Sequence, residues 1–151
     1  MRGPEALYSS ICATLSPMFN IIERLLGVIT VLFGFRKPLT EAKDERRKKI
    51  FDLLDQMAAC LDRVVVSLEA HEVPHGACGE LATYAGWLPE TVGAEIGVNM
   101  ASFIARELEE AHNVESLLVQ LHGSLDERAE LAKLWEAAGR LHALINIIRA
   151  G

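Results

Sequence analysis

Residues 17–35 read PMFNIIERLLGVITVLFGF, and this stretch is more apolar than an ordinary amphipathic helix. At 100° per residue its polar and small residues fall on one narrow strip, and apolar side chains cover the rest of the circumference. The strip consists of Asn20, Glu23, Arg24, Gly27, Thr30, Val31 and Gly34. The wide apolar face includes Leu25, Leu26, Ile29, Leu32 and Phe33. The stretch therefore predicts a helix whose surroundings, protein or lipid, are mostly apolar.

The sequence on both sides of this helix also has helical periodicity. A short amphipathic helix is predicted before Ser16, and Arg36-Lys37-Pro38 is expected to stop the apolar helix. A third helix is predicted from an N-cap at Thr40 to about His71. Its apolar residues recur at steps of four and three, which is a heptad seam typical of helices packed along their length. The seam consists of Ile50, Leu54, Met57, Leu61, Val64 and Leu68.

The rest of the chain, from residue 71 onward, predicts three further helical stretches. The segment HEVPHG at residues 71–76 indicates a chain reversal, and the shorter helix after it is expected to bend at Leu88-Pro89. Apolar periodicity then continues without interruption to Gly123, with Asn113 as a candidate local break. A capping box from Ser124 to Glu127 predicts the start of the last helix. Its seam is Leu131, Leu134, Ala138, Leu141, Ile145 and Ile148.

These patterns predict an all-α fold: an antiparallel up-and-down helical bundle of long helices, preceded by a strongly apolar N-terminal helix. No stretch alternates with the two-residue period of a half-buried strand. We divide the chain into an apolar N-terminal segment, residues 1–38, and a helical bundle, residues 39–151. The helix caps and seams of the second segment are consistent with one another, so we expect it to fold alone.

Charge is distributed unevenly along the chain. Residues 1–35 are neutral, residues 36–49 carry seven bases and three acids, and the other 102 residues carry a net charge of −10. We call the bases nearest the apolar helix the basic collar: Arg36, Lys37, Arg46, Arg47, Lys48 and Lys49. A basic segment beside an apolar helix is typical of proteins that contact anionic lipid headgroups, although such a run is also often an ordinary solvated face. The acidic remainder argues against nucleic acid as a partner.

The candidate chemical sites are weak. His71, His75 and Cys78 could in principle hold zinc, but they lack the paired spacing of known zinc motifs, and Cys78 has no evident partner for nucleophilic catalysis. Glu109 and His112 have the Glu-x-x-His spacing of di-iron bundles, without a second such element. Trp87 and Trp135 are interpreted as core or bundle-end anchors. We therefore predict no metal, no cofactor and no enzymatic activity.

Two functions from different classes fit the sequence. The first is a non-enzymatic bundle that self-associates and engages or perturbs a membrane through its apolar helix, a candidate pore former. Only its general architecture is similar to that of cell-death and defence effectors. The alternative is a soluble interaction or adaptor module whose N-terminal helix belongs to the core or to a homo-oligomer interface. The expected partners are further copies of the chain, an anionic membrane or another helical protein.

Localisation and assembly follow from the same features. Three cysteines without a CxxC pair favour a reducing compartment, so we expect a cytoplasmic protein, with a possible association with the inner face of the cell membrane. Glu23 and Arg24 point about 100° apart on one helix and cannot pair with each other there. We therefore predict that neighbouring copies pair them in a ring, with Gly27 and Gly34 allowing close approach.

Overall fold

A computed structural model describes residues 21–109, 121 and 126–151 of the protein. In this part of the chain seven helices pack together and there is no strand, which confirms the all-α class. They are α1 (Ile21–Gly34), α2 (Arg36–Thr40), α3 (Asp44–Glu69), α4 (His75–Ala85), α5 (Leu88–Ile96), α6 (Val98–Glu109) and α7 (Glu127–Ala150). The short helix predicted before Ser16, the predicted start at Pro17 and the candidate break at Asn113 lie outside the described residues.

The two longest helices, α3 and α7, pack side by side in opposite directions. Asp62 and Glu69 of α3 contact His142 and Trp135 of α7, so residue numbers rise along one helix as they fall along the other. Helix α1 also packs on α7 but runs in the same direction. Its Glu23 reaches Lys133, whereas Thr40, just beyond its other end, lies against Gly151.

The remaining helices complete the packing around this pair. Helices α4 and α5 both contact α3, and α6 packs against α1, α4 and α5. One hydrophobic cluster includes buried side chains from every described helix. No polar or charged residue of the described part of the chain is buried as a whole, although the side chain of Glu95 is only 7% exposed. The core is therefore held together mainly by apolar contact, and most of its ion pairs lie at the rim.

Helix α1 belongs to this shared core. Six of its side chains are buried: Ile21, Ile22, Leu25, Val28, Ile29 and Leu32. Burying an aliphatic side chain of this size stabilises a fold by roughly 1.5–3 kcal/mol, so α1 contributes on the order of 10 kcal/mol. None of the helices in the described residues is long and apolar enough to cross a membrane.

The predicted seams are confirmed by burial. All six seam residues of α3, from Ile50 to Leu68, are buried, and so are Leu134, Ala138, Leu141, Ile145 and Ile148 of α7. Leu131, at the start of the α7 seam, is half-buried. The period of the apolar residues therefore located the inward face of both long helices correctly.

Two predictions near the basic collar have different outcomes. Helix α1 ends at Gly34, next to its predicted end at about Phe35, but Arg36-Lys37-Pro38 does not stop helical structure: after one turn residue the chain forms α2, which contains Pro38. Proline is tolerated there because the first amide groups of a helix have no intrahelical acceptor. Thr40 does not cap α3: its hydroxyl donates to the carbonyl of Arg36 at 2.7 Å, and the residue before α3 is Lys43.

The chain also breaks where continuous helix was predicted. Gly97 separates α5 from α6 and has a φ of 93°, a conformation that suits glycine because it has no Cβ. The predicted bend at Leu88-Pro89 is displaced: the break falls at Gly86 and Trp87, and Pro89 lies in the first turn of α5.

Helix α7 begins at a different cap from the one predicted. Asp126 precedes the helix, and its carboxylate accepts a hydrogen bond from the amide of Ala129 at 3.1 Å. An acidic side chain at this position also suits the positive end of the helix dipole. Ser124, the predicted N-cap, lies outside the described residues.

The predicted reversal after α3 is present as a helix-ending motif. His71 follows the helix with a φ of 59°, and its amide donates to the carbonyl of Leu68 at 3.1 Å. The amide of Glu72 donates to the carbonyl of Ser67 at 2.8 Å. These two bonds form a Schellman motif, in which the left-handed position is usually glycine.

Candidate interaction surfaces

The polar strip of α1 lies on the less buried side of the helix. Thr30 and Gly34 are exposed, and Glu23, Arg24 and Gly27 are half-buried. Leu25, Ile29 and Leu32 of the apolar face are buried, while Leu26 and Phe33 are half-buried at its edges. Asn20 lies outside the described residues. The strip therefore faces away from the core, as its composition requires.

The two charges of the strip have partners within the same chain. Glu23 accepts a hydrogen bond from Lys133 at 2.9 Å, and Arg24 donates to Glu107 with a closest distance of 2.7 Å. The hydrogen bonds from Lys133 to Glu23 and Glu130 raise the pKa of Lys133. Both charges that were predicted to pair between copies thus have partners inside one chain, and these pairs tie α1 to α6 and α7.

The basic collar is divided between structural and exposed cations. Arg46 donates to Glu95 at 2.5 Å and to the carbonyl of Thr91 at 2.9 Å, and the hydrogen bond with Glu95 raises the pKa of Arg46. Glu95 is only 7% exposed at its side chain, so this pair joins α3 to α5 as part of the fold. Arg47 is paired with Asp44 at 2.9 Å.

The other collar residues lie at one end of the molecule. Lys37, Lys48 and Lys49 are exposed and form no ion pair with the described residues. Arg36 is exposed too, and its guanidinium lies 5.2 Å from the ring centre of Phe33. An aromatic ring holds a guanidinium in place without cancelling its charge, unlike a carboxylate.

Two cations that the collar did not include share this end. Arg149, near the end of α7, lies over the ring of Phe51 of α3 at 4.9 Å, and Lys43 is exposed just before α3. We call this surface the basic end: Arg36, Lys37, Lys43, Lys48, Lys49 and Arg149. Between the helix ends is a cleft of about 310 Å³. It is lined by Asp44, Arg47, Lys48, Phe51, Ile148 and Arg149.

A second surface is formed by the sides of α3 and α7 that face away from the core. Asp62 contacts His142 at 2.7 Å, and Glu69 accepts a hydrogen bond from the indole of Trp135. On α3, Val66 lies four residues after Asp62 and three before Glu69; on α7, Gly139 is spaced in the same way between Trp135 and His142. Residues at such spacings share a helix face, so Val66 and Gly139 lie opposite each other between the two contacts.

This outer face combines an exposed apolar side chain with an open position. Val66 is 55% exposed. A Cβ added to Gly139 would meet nothing within 4 Å. We call the surface around these two residues the α3/α7 face. The sequence alone did not suggest it, because the pairing register of two helices about 70 residues apart leaves no local pattern.

Both tryptophans are exposed, so neither is a core anchor, and their other interpretation, as anchors at the ends of the bundle, stays a prediction. Trp87 is 53% exposed, and its ring meets that of Tyr84 edge-on with centroids 5.4 Å apart. Trp135 is 42% exposed and belongs to the edge of the α3/α7 face. A tryptophan that is held by a hydrogen bond yet remains exposed offers a large apolar contact area to a partner.

His71, His75 and Cys78, the candidate zinc ligands, differ in their exposure. Cys78 is buried, whereas His71 and His75 are exposed, and the described residues contain no group of three side chains suited to a metal. Burial raises the pKa of the Cys78 thiol to about 11, with a further contribution from Cys60. Such thiols are poor nucleophiles. His112, the partner of Glu109 in the di-iron spacing, lies outside the described residues.

Cys60 lies in the contact between α3 and α4. Arg63 donates a hydrogen bond to its sulfur at 3.2 Å and also pairs with Glu80 of α4. Burial raises the pKa of the Cys60 thiol, and the Arg63 hydrogen bond partly opposes that effect. The described polar side chains thus mainly join one helix to another.

No family model, curated protein or solved structure matches this chain.

Proposed function

We propose that this protein is a non-enzymatic helical interaction module that pairs with a second copy of itself through the α3/α7 face, with α1 as part of its own core. The observation that carries the proposal is the juxtaposition of Val66 and Gly139 between two interhelix contacts. One is a projecting apolar side chain and the other a position with room above it. A surface that carries both features can be complementary to itself.

The antiparallel packing of the two helices defines how two copies would meet. A twofold axis parallel to α3 and α7, lying outside the molecule above the middle of the α3/α7 face, places the α3 of one copy over the α7 of the other. Val66 of each copy then lies over Gly139 of the other, where no Cβ obstructs it. Trp135 lies at the edge of the same face and adds apolar area, as aromatic residues commonly do at interfaces.

The proposal is tested by the concentration dependence of molecular mass, measured by analytical ultracentrifugation. We expect a monomer–dimer equilibrium for the unchanged protein. Val66→Lys or Gly139→Lys places a charge in the interface and is expected to raise the dissociation constant at least about tenfold. Val98→Lys is the matched control, because Val98 is an exposed valine (63%) on α6, outside the α3/α7 face.

Two results would contradict the proposal. One is a protein that stays monomeric at every concentration tested, and the other is an equal effect of Val98→Lys. Gly27→Leu and Gly34→Leu test, in the same assay, the earlier prediction that copies associate through the polar strip of α1. If those changes weaken association and Val66→Lys does not, the polar strip of α1 is the interface.

Membrane engagement through α1 remains a second prediction, but the structure gives it a cost. For α1 to enter a bilayer, its six buried side chains must leave the core. That change removes on the order of 10 kcal/mol of burial, similar to the whole stability of a typical domain, before any lipid contact compensates for it. A protein whose vesicle binding is abolished by tethering α1 to α7 would support this function over the first.

A further inference from the structure

The basic end is the place where the charge of this molecule is concentrated and left without partners. It collects cations from three separate parts of the chain: α2, the start of α3 and the end of α7. Contacts of α2 with both α3 and α7 bring these parts together. The acids within residues 36–49 are Glu41, Asp44 and Glu45, and Asp44 is paired with Arg47. The six cations of the basic end therefore outnumber the two other acids of this segment, Glu41 and Glu45, while the remainder of the protein is acidic.

We propose that the basic end is a docking surface for an anionic bilayer. A planar surface of negative headgroups repels the acidic sides of the molecule and attracts only this end, so the charge distribution selects an end-on orientation. The half-buried rings of Phe33 and Phe35 lie at the end of α1, next to Arg36. Phenylalanine rings beside bases suit the boundary between lipid headgroups and acyl chains.

This inference differs from the collar predicted from the sequence in its choice of residues. Arg46 is excluded, because its guanidinium is occupied by Glu95 and the carbonyl of Thr91. Arg149, more than 100 residues away in the chain, is included, because α7 ends beside Phe51. The cleft between them offers a position for one headgroup phosphate beside Lys48 and Arg149. The α1 helix stays in the core throughout.

The experiment is co-sedimentation of the full chain with vesicles of phosphatidylcholine, with and without phosphatidylserine. We expect binding only when phosphatidylserine is present, and we expect added salt to reduce it. Each base near such a surface increases partitioning onto vesicles about fivefold. The triple variant Lys37→Gln, Lys48→Gln, Lys49→Gln should therefore partition about a hundredfold more weakly. Arginine at the same three positions should keep binding, which separates loss of charge from loss of fold.

The matched control removes three positive charges elsewhere. Arg106, Arg128 and Arg140 lie on α6 and α7 away from the basic end, and their change to glutamine alters the net charge by the same amount. We expect this variant to bind as the unchanged protein does. Equal loss in both triple variants, equal binding to vesicles without phosphatidylserine, or no vesicle binding at all would overturn the proposal. So would tighter binding of a short DNA duplex through the same lysines, since that result would assign the surface to nucleic acid.

Discussion

His71 has a left-handed backbone conformation that most residues avoid. Its φ of 59° at the end of α3 allows the two hydrogen bonds of the Schellman motif to form. The side chain is exposed. A residue with a Cβ is strained in this conformation by about 1–2 kcal/mol, so histidine makes this turn less stable than glycine would.

We predict that His71→Gly raises the free energy of unfolding by about 0.5–1 kcal/mol, because relief of strain outweighs the greater freedom of glycine in the unfolded chain. Urea denaturation followed by circular dichroism measures it. Gly97→Ala is the opposite test: its φ of 93° should make alanine destabilising by about 1 kcal/mol. A His71→Gly protein less stable than the original would show that the imidazole makes a contact worth more than the strain.

The buried thiol of Cys78 predicts a change of stability at alkaline pH. Burial raises the pKa of this thiol from 9.0 to about 11 in the folded chain, so the protonated form favours folding. The resulting stability is present in full below pH 9 and is lost as the pH rises towards 11, because the unfolded chain loses the proton first.

We predict that the unfolding free energy falls less steeply between pH 9 and 11 in Cys78→Ala than in the unchanged protein. All other titratable groups are common to both proteins, so the difference between the two slopes reports the thiol. Denaturant midpoints in the presence of a reductant provide the measurement. Parallel slopes would mean that the Cys78 thiol has the same pKa in the folded and unfolded chains.

At the scale of elements, α1 is expected to behave as a core helix. We predict that Ile22→Ala or Leu32→Ala lowers the free energy of unfolding by about 2–5 kcal/mol, because each leaves a cavity among fully buried neighbours. Thr30→Ala is the matched control on the exposed side of the same helix, with an expected change within about 0.5 kcal/mol. Equally small effects at all three positions would place α1 outside the cooperative core.

This packing changes the expectation for residues 39–151, which the sequence predicts to fold alone. Without α1, the faces of α6 and α7 that contact it would be open to solvent. We now expect that fragment to keep helical structure but to lose part of its cooperativity. The division of the chain at residue 38 stays a prediction until the fragment is made.

The sequence predicted helix faces better than helix ends. Every seam residue of α3 is buried, because the spacing of apolar residues follows directly from which side of the helix contacts the core. The break at Gly97 was missed because Ile96 and Met100 continue the period across it and a lone glycine is tolerated in many helices. Thr40 has the chemistry of an N-cap, yet its hydroxyl bonds back to Arg36 once α2 forms. Local chemistry would allow Gly97 to lie within a helix and Thr40 to cap one. Tertiary packing selected the other arrangement in each case.

The candidate surfaces were harder to predict, because they depend on contacts far apart in the chain. Glu23 and Lys133 are separated by 110 positions, and Arg46 and Glu95 by 49. Without those partners, the sequence assigned Glu23 to another copy and Arg46 to lipid. The positive charge near residues 36–49 was found from composition, but the contribution of Arg149 required the antiparallel packing of α3 and α7.

For the whole molecule, the two proposed surfaces are compatible in one assembly. A twofold axis parallel to α3 and α7 leaves both copies pointing the same way, so a dimer presents two basic ends to one side. Two weak attachments to one surface bind far more tightly than either alone, because the second is held near its site by the first. A variant that cannot dimerise, such as Val66→Lys, should therefore bind vesicles more weakly at equal protein concentration.

The apolar core has a consequence for how this fold is chosen among alternatives. Leucine, isoleucine, valine and alanine can fill a helical core in several sliding arrangements, and a buried polar group is the usual device that selects one. In the described residues the closest to such a group is Glu95, whose side chain is 7% exposed and pairs with Arg46. The other ion pairs that fix the alignment of the helices lie at the rim, such as Glu23–Lys133 and Arg24–Glu107. Most of the contacts that select this arrangement of helices are thus exposed to solvent, where dissolved ions can weaken them.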